Sequence, residues 1–230
     1  MRADVEVKTG RRLGEFFIKP IQDAKQRLWI MSPWLSAHHV PLLLEKKAKG
    51  IDLKVITTDD YTPTHREALR ALIESKKETI RPGNRTAKWI GIILIIIGIV
   101  LAVPTAGVGL ILSFAGYILY IRIGKEKITI RWISKIGDEN LLIYHTDPFR
   151  PIHAKVYVAD DQVALGSANL TKGGAEENLE SLAWIKSAEI ANRMIHELSS
   201  LEKEFRLQRI PVDEVGRAIW QVPVYRRRRF

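Results

Sequence analysis

The stretch His153-Ala154-Lys155-Val156-Tyr157-Val158-Ala159-Asp160-Asp161-Gln162-Val163-Ala164-Leu165-Gly166-Ser167-Ala168-Asn169 decides how the 230-residue chain is read. Ala154–Ala159 has the composition of a strand, in which alternate side chains share a face. His153, Lys155 and Tyr157 are therefore expected on one side, and Ala154, Val156 and Val158 toward a core. Asp160-Asp161 supplies a turn, and Gln162–Leu165 returns as the antiparallel partner. Such a hairpin delivers Gly166, Ser167 and Asn169 to the end that carries His153. An imidazole, an ammonium, a hydroxyl and a carboxamide then converge, the set that phosphodiester cleavage requires when a side chain is the nucleophile and fixed donors hold the phosphoryl oxygens.

Working outward, Arg27–Met31 and Ile51–Ile56 read as strands, and Val40–Lys49 between them as a helix stopped by Gly50. That order predicts a parallel βαβ unit. A helix is expected over Thr64–Lys77, strands over Lys127–Ile133 and Leu141–Tyr144, and a long helix near Ala188–Leu207. Neither half has enough strands to bury both faces of a sheet, so the two halves must combine.

Between them, from Trp89 to Ile121, no residue is charged. A single helix of this length would extend roughly 50 Å, against roughly 30 Å for a hydrocarbon core. Val103-Pro104-Thr105-Ala106-Gly107-Val108-Gly109 punctuates the run and predicts two antiparallel helices, spanning or re-entrant. Arg81, Arg85 and Lys88 precede it and Arg122, Lys125 and Lys127 follow it, which places both flanks in the cytoplasm. Gly91, Gly98, Gly107 and Gly116 are candidates for close helix contact. The expected organisation is 1–85 and 126–230 as two parts of one α/β domain, interrupted by a membrane hairpin at 86–125. Met1–Gly10 lacks the apolar stretch of a cleaved signal peptide, so a cytoplasmic start is expected.

Lys and Arg number 36 against 26 Asp and Glu, a formal charge of +10 that favours polyanionic partners, nucleic acid or anionic lipid. Arg226–Arg229 adds a basic cluster for the same surfaces. With no cysteine, disulfides and thiolate metal sites are excluded. Neither a metal nor another cofactor is expected. His38 and His39 read as a solvated pair, His65 and His196 as residues of charged helix faces and His145 as a loop residue; none is assigned a role.

The pattern H-x-K-x4-D followed by G-S-x-N resembles the signature of the phospholipase D superfamily, and Ser32-Pro33-Trp34 is a further likeness. The resemblance covers about Val5–Asp60 and Lys127–Leu207 and breaks at the apolar run. It implies an α/β phospholipase D-like sheet flanked by helices, with His153 as the nucleophile that forms a phosphohistidine. Lys155, Ser167 and Asn169 would complete the site, and Asp160 and Gly166 would be structural. Glu180 stands where the family's small endonucleases have an acidic residue that hydrogen-bonds the histidine. A leaving oxygen needs a proton from a second imidazole, and no other histidine has a lysine two residues on. The resemblance therefore implies a homodimer whose two His153 side chains share one site. A membrane-anchored nuclease is the first expectation. A phospholipase D or phosphatidyl transferase acting on lipid is the second, and a non-catalytic scaffold or nucleic-acid-binding module the third.

The topology has a direct check. Single cysteines added at either end of the chain should resist an impermeant maleimide in intact cells and react after lysis; labelling of one end in intact cells would contradict the hairpin.

Overall fold

Strands from before and after the apolar run interleave in one sheet. The computed structural model describes residues 3–147, 149 and 151–221, so Arg226–Arg229 lies outside the described residues. The chain divides into two compact units, Met1–Ser75 with Trp132–Phe230, and Lys76–Arg131.

The first unit contains β1 (Asp4–Gly10), α1 (Gly14–Asp23), β2 (Arg27–Met31), α2 (Val40–Ala48), β3 (Asp52–Thr58) and α3 (Pro63–Leu72). The insert is carried between β4 (Ile73–Arg81) and β5 (Lys127–Ser134), and holds α4 (Arg85–Ala102) and α5 (Gly109–Leu119). The first unit then resumes with β6 (Leu141–Tyr144), β7 (Val156–Ala159), β8 (Gln162–Gly166), β9 (Glu180–Lys186), α6 (Ala188–Ser199), α7 (Leu201–Glu204), β10 (Arg209–Ile210) and α8 (Val212–Gln221). Among the described residues its sheet runs β1-β9-β8-β7-β2-β3-β6-β10. β2, β3 and β6 are parallel, and β7 returns antiparallel on β2, with Met31 opposite Val156.

Both faces of this sheet are buried. Leu28, Ile30, Tyr157 and Ala159 face a cluster that includes Phe17, Leu43, Leu69 and Val215. Trp29, Met31, Val156 and Val158 face a second, which includes Ala191, Leu198 and Leu201 of α6 and α7. Helices thus cover the sheet on two sides, the arrangement that parallel strands require. The strand at 156–159 alternates as expected, but its Tyr157 face is core rather than site: Tyr157 is fully buried and packs edge to face on Phe17, ring centroids 4.8 Å apart. His153 and Lys155 precede β7 instead of lying within it.

Two further expectations change. The helix expected over Thr64–Lys77 ends at Leu72, because Ile73 is extended (φ −110°, ψ 139°) and the following residues pair with β5. Backbone pairing with a distant strand outweighs the helix preference of Glu74, Lys76 and Lys77. The helix expected over Ala188–Leu207 breaks at Ser200 into α6 and α7.

In the second unit β4 pairs with β5, and α4 packs along α5. Asn84 caps α4 by accepting from Ala87 N at 2.9 Å. Glycines set the helix spacing: a Cβ on Gly91 would lie 2.8 Å from Gly116 O, and one on Gly98 2.6 Å from Gly109 O. Gly107 instead serves the turn, at φ +93°. Large apolar side chains such as Ile96, Ile99, Val100, Ile111 and Phe114 point outward. α4 is long and apolar enough to cross a membrane, whereas Gly109–Gly124 is shorter.

Asp160 ties the β7–β8 turn to the start of β2. Its carboxylate accepts from the backbone N of Lys25 (2.9 Å), Gln26 (2.8 Å) and Arg27 (3.0 Å), and its own carbonyl accepts from Arg27 Nε at 2.7 Å. Partial burial pushes its pKa up, but the three N–H donors outweigh this and hold it below the ordinary value. Asp160 sits at φ +53°, a conformation that Asn also tolerates. Asp160→Ala should therefore cost about 1–2 kcal/mol in thermal melting of the detergent-solubilised chain. The margin of wild type over Asp160→Asn should be full near neutral pH and shrink as pH falls through the depressed native pKa. A margin independent of pH would contradict the clamp.

Candidate active site

The topology gathers loops at one edge of the sheet. β2, β3 and β6 are parallel, so Ser32-Pro33-Trp34, Asp59-Asp60-Tyr61 and His145-Thr146-Asp147 all leave at their carboxyl ends. β7 enters at that same edge through His153 and Lys155, and β8 leaves there through Gly166–Asn169. Open α/β sheets present ligand sites at the carboxyl ends of their parallel strands.

A cleft of about 560 Å³ opens here, lined by residues that include Trp34, Asp59, Asp60, Tyr61, His145 and His153. His153 is exposed, and its ring meets Trp34 edge to face with centroids 6.0 Å apart. Lys155 is buried, donates to His153 O at 2.7 Å and lies 5.9 Å from the Trp34 ring centre. Trp34 therefore serves as a common wall for the imidazole and the ammonium. Its Nε1 donates to Asp60 Oδ2 at 2.8 Å, which fixes the indole. Burial lowers the Lys155 pKa, and the Glu180 carboxylate counteracts this.

Ser167 and Glu180 are brought together, though in another way than the resemblance implies. Ser167 Oγ donates to Glu180 Oε2 and accepts from Ser181 N at 3.0 Å, while Asn178 Nδ2 donates to Glu180 Oε1 at 3.1 Å. These contacts occupy the Ser167 hydroxyl. Glu180 thus bonds serine and asparagine rather than His153, and faces Lys155 electrostatically. Gly166 has a local reason: a Cβ there would lie 2.9 Å from Leu182 Cα on β9.

Asn169 lies beside Ser32, which follows β2. The Ser32 hydroxyl accepts from Leu170 N at 3.0 Å and donates to Trp34 O at 2.7 Å, with Asn169 Oδ1 3.4 Å away. Thr57 and Thr58 both donate to Pro33 O, at 3.0 and 2.9 Å. These bonds, with that of Trp34 to Asp60, fix the loop carrying Trp34.

Several histidines differ from their expected surroundings. His65 is fully buried, accepts from Leu35 N at Nδ1 (3.0 Å) and donates from Nε2 to Thr58 O (2.9 Å). Burial lowers its pKa, which keeps it neutral, and it buttresses the Trp34 loop. His39, expected to be solvated, is buried in a separate cleft with Glu15 and Glu176; burial and then neighbouring His38 depress its pKa. His196 is exposed on α6. His145, read as a loop residue without a role, lines the His153 cleft and bonds Asp59. Trp34, Asp59 and His145 were missed as a group because they follow three different strands, and only the strand order unites them.

Fold and site together define an α/β protein of the phospholipase D-like class. A family model described as cardiolipin synthase, PLD-like domain, matches residues 17–202, and the chain belongs to that family. A search of curated proteins finds no match. Solved structures similar to this chain include a phospholipase D family member, Nuc from Salmonella typhimurium, at 13% identity and TM-score 0.48, covering 91% of this chain and 99% of that one. NucT from Helicobacter pylori has the same identity and coverage at TM-score 0.45. Phosphatidylserine synthase from Haemophilus influenzae Rd KW20 is 14% identical at TM-score 0.49, covering 94% of this chain and 42% of that one.

Proposed function

We propose that this chain is a membrane-anchored phosphodiesterase that works without a metal through a phosphohistidine on His153. The carrying observation is the exposed His153 imidazole at the mouth of a cleft, with the Lys155 ammonium across the same indole. His153 attacks phosphorus, and the Lys155 ammonium with the Asn169 carboxamide holds the charge on the non-bridging oxygens. Water or an alcohol then releases the phosphoryl group. Ser167 and Glu180 act by fixing one another beside Lys155, and Asp160 and Gly166 by holding the hairpin. The domain reading is one α/β domain, 1–85 with 126–230, anchored through 86–125 and facing the cytoplasm. The outward apolar side chains of α4 and α5 support it, since lipid is the solvent that such a surface suits.

The cleft wall bears on the substrate. Its lining includes Asp59, Asp60 and Asp147 beside Trp34, Tyr61 and Ile152, with the Lys155 ammonium near the same indole. A polyanionic strand would meet carboxylates there, whereas an amphiphile offers one phosphodiester and an apolar body. We therefore place a membrane phospholipid first, by hydrolysis or phosphatidyl transfer; the family's description as a cardiolipin synthase domain supports this. Nucleic acid, favoured by the +10 charge, is the second reading.

The test offers phospholipid vesicles and single-stranded DNA to the full chain in excess EDTA. Lipid turnover should persist and vanish in His153→Ala, and Lys155→Ala and Asn169→Ala should each lose on the order of 10²-fold. DNA cleavage in place of lipid turnover would favour the second reading. Activity abolished by EDTA and restored by a divalent ion would overturn the mechanism.

A further inference from the structure

At the open end of the hairpin, where α4 begins and α5 stops, lies a cleft that the proposed reaction leaves unused. It has a volume of about 720 Å³ and belongs wholly to the second unit. Four cations line it: Arg81 at the end of β4, Arg122 and Lys125 just past α5, and Lys127 at the start of β5. Glu126 is the one acid of the lining among the described residues, and Ile121 and Ile128 supply its apolar part, 40% and 47% exposed. We propose that this cleft binds an anionic membrane phospholipid, its phosphate among the four cations and its glycerol end against Ile121 and Ile128. The inference rests on α4 and α5 lying in a bilayer, and the cleft shares no residue with the one that holds His153.

The cations stand on a frame that is already built. Arg81 Nη2 donates to Ile121 O at 3.2 Å and to Lys125 O at 3.5 Å, which ties the end of β4 to the end of the hairpin. Asn84 N donates to Ile123 O at 3.1 Å. Lys125 N reaches back five residues to Tyr120 O at 2.7 Å, so the helix closes in a widened turn over Tyr120–Gly124. Glycines let the two legs touch: a Cβ on Gly83 would lie 2.8 Å from Gly124 O, and one on Gly124 2.6 Å from Lys88 Cα. Backbone contacts thus hold like charges together, since among the described residues Arg122, Lys125 and Lys127 have no salt-bridge partner. Four cations against one carboxylate repel one another. A bound phosphate relieves that repulsion, and the preformed frame spares much of the cost of ordering its donors.

Two features select a lipid over a soluble polyanion such as nucleic acid. The cleft begins at Ile121, where the uncharged run ends, and this is the level at which a bilayer presents its phosphates. The two isoleucines suit an amphiphile, whereas a sugar-phosphate strand offers them nothing apolar to bury. Charge then selects among lipids. A choline headgroup adds a further cation beside four others, and phosphatidylglycerol adds none.

Lysine footprinting reads the site directly. The full chain carrying His153→Ala, so that lipid is not consumed, is placed in nanodiscs of phosphatidylcholine with a rising fraction of phosphatidylglycerol. Its lysines are then acetylated and mapped by mass spectrometry. Acetylation of Lys125 and Lys127 should fall to a plateau as phosphatidylglycerol rises. Lys88 is the control, because it is exposed, packs beside Gly124 and lies outside the cleft lining; its labelling should not change. Arg122→Gln in the same background should need about five-fold more phosphatidylglycerol for half protection, the worth of one cation near an anionic surface. Unshielded Lys125 and Lys127, equal shielding of Lys88 by a diffuse attraction, or an unchanged midpoint in Arg122→Gln would overturn the proposal. Glycerol phosphate added to discs of pure phosphatidylcholine should shield neither lysine. Shielding there would assign the cleft to a soluble phosphate and overturn the lipid. Flotation with pure phosphatidylcholine vesicles checks the membrane reading separately. Both proteins should float, and a chain that does not would sink that reading and this inference with it.

Discussion

The pairing of β7 on β2 is the contact on which the site depends. It is antiparallel while β2, β3 and β6 are parallel, so a strand that begins with His153 and Lys155 starts where the others end. Asp160 secures this register with three backbone donors at the far end of the hairpin. A shift by one residue would exchange the two buried faces of β7, sending Tyr157 toward α6 and Val158 toward Phe17. His153 and Lys155 are thus positioned by core packing, and the Trp34 indole, fixed by Asp60, lies near both the imidazole and the ammonium.

The insert carries a different apolar pattern. Its glycines bring α4 and α5 close enough that a side chain would collide, while its large apolar groups face outward. The main sheet does the reverse, burying apolar side chains on both faces. One chain therefore carries two opposite patterns, joined through the β4–β5 ribbon. The ribbon lets the α/β domain be interrupted without loss of a strand from its sheet.

How much of this was legible in the sequence depends on the range of the interaction. β2, α2, β3 and the β7–β8 hairpin follow from local pattern, as does the insert, because uncharged length is a one-dimensional signal. The end of α3 was not legible, since Ile73–Arg81 becomes a strand only through pairing with β5, some fifty residues away. His153, Lys155 and Asn169 could be proposed from spacing alone. The Glu180–Ser167 bond and the His145–Asp59 pair could not, because each joins the ends of different strands and requires the sheet order. His65 and His39 misled for a related reason: a polar residue on a helix face or in a loop looks solvated until the segments that cover it are known.

The central claim is that His153 becomes covalently bonded to phosphorus. Acid-sensitive, base-stable attachment can be captured by quenching the full chain in alkali during turnover and mapping the peptides by mass spectrometry. The account predicts a phosphoryl-linked substrate fragment on His153 that disappears on chase with unlabelled substrate. A fragment on another residue, or single-displacement stereochemistry at phosphorus with no adduct at any time, would contradict it.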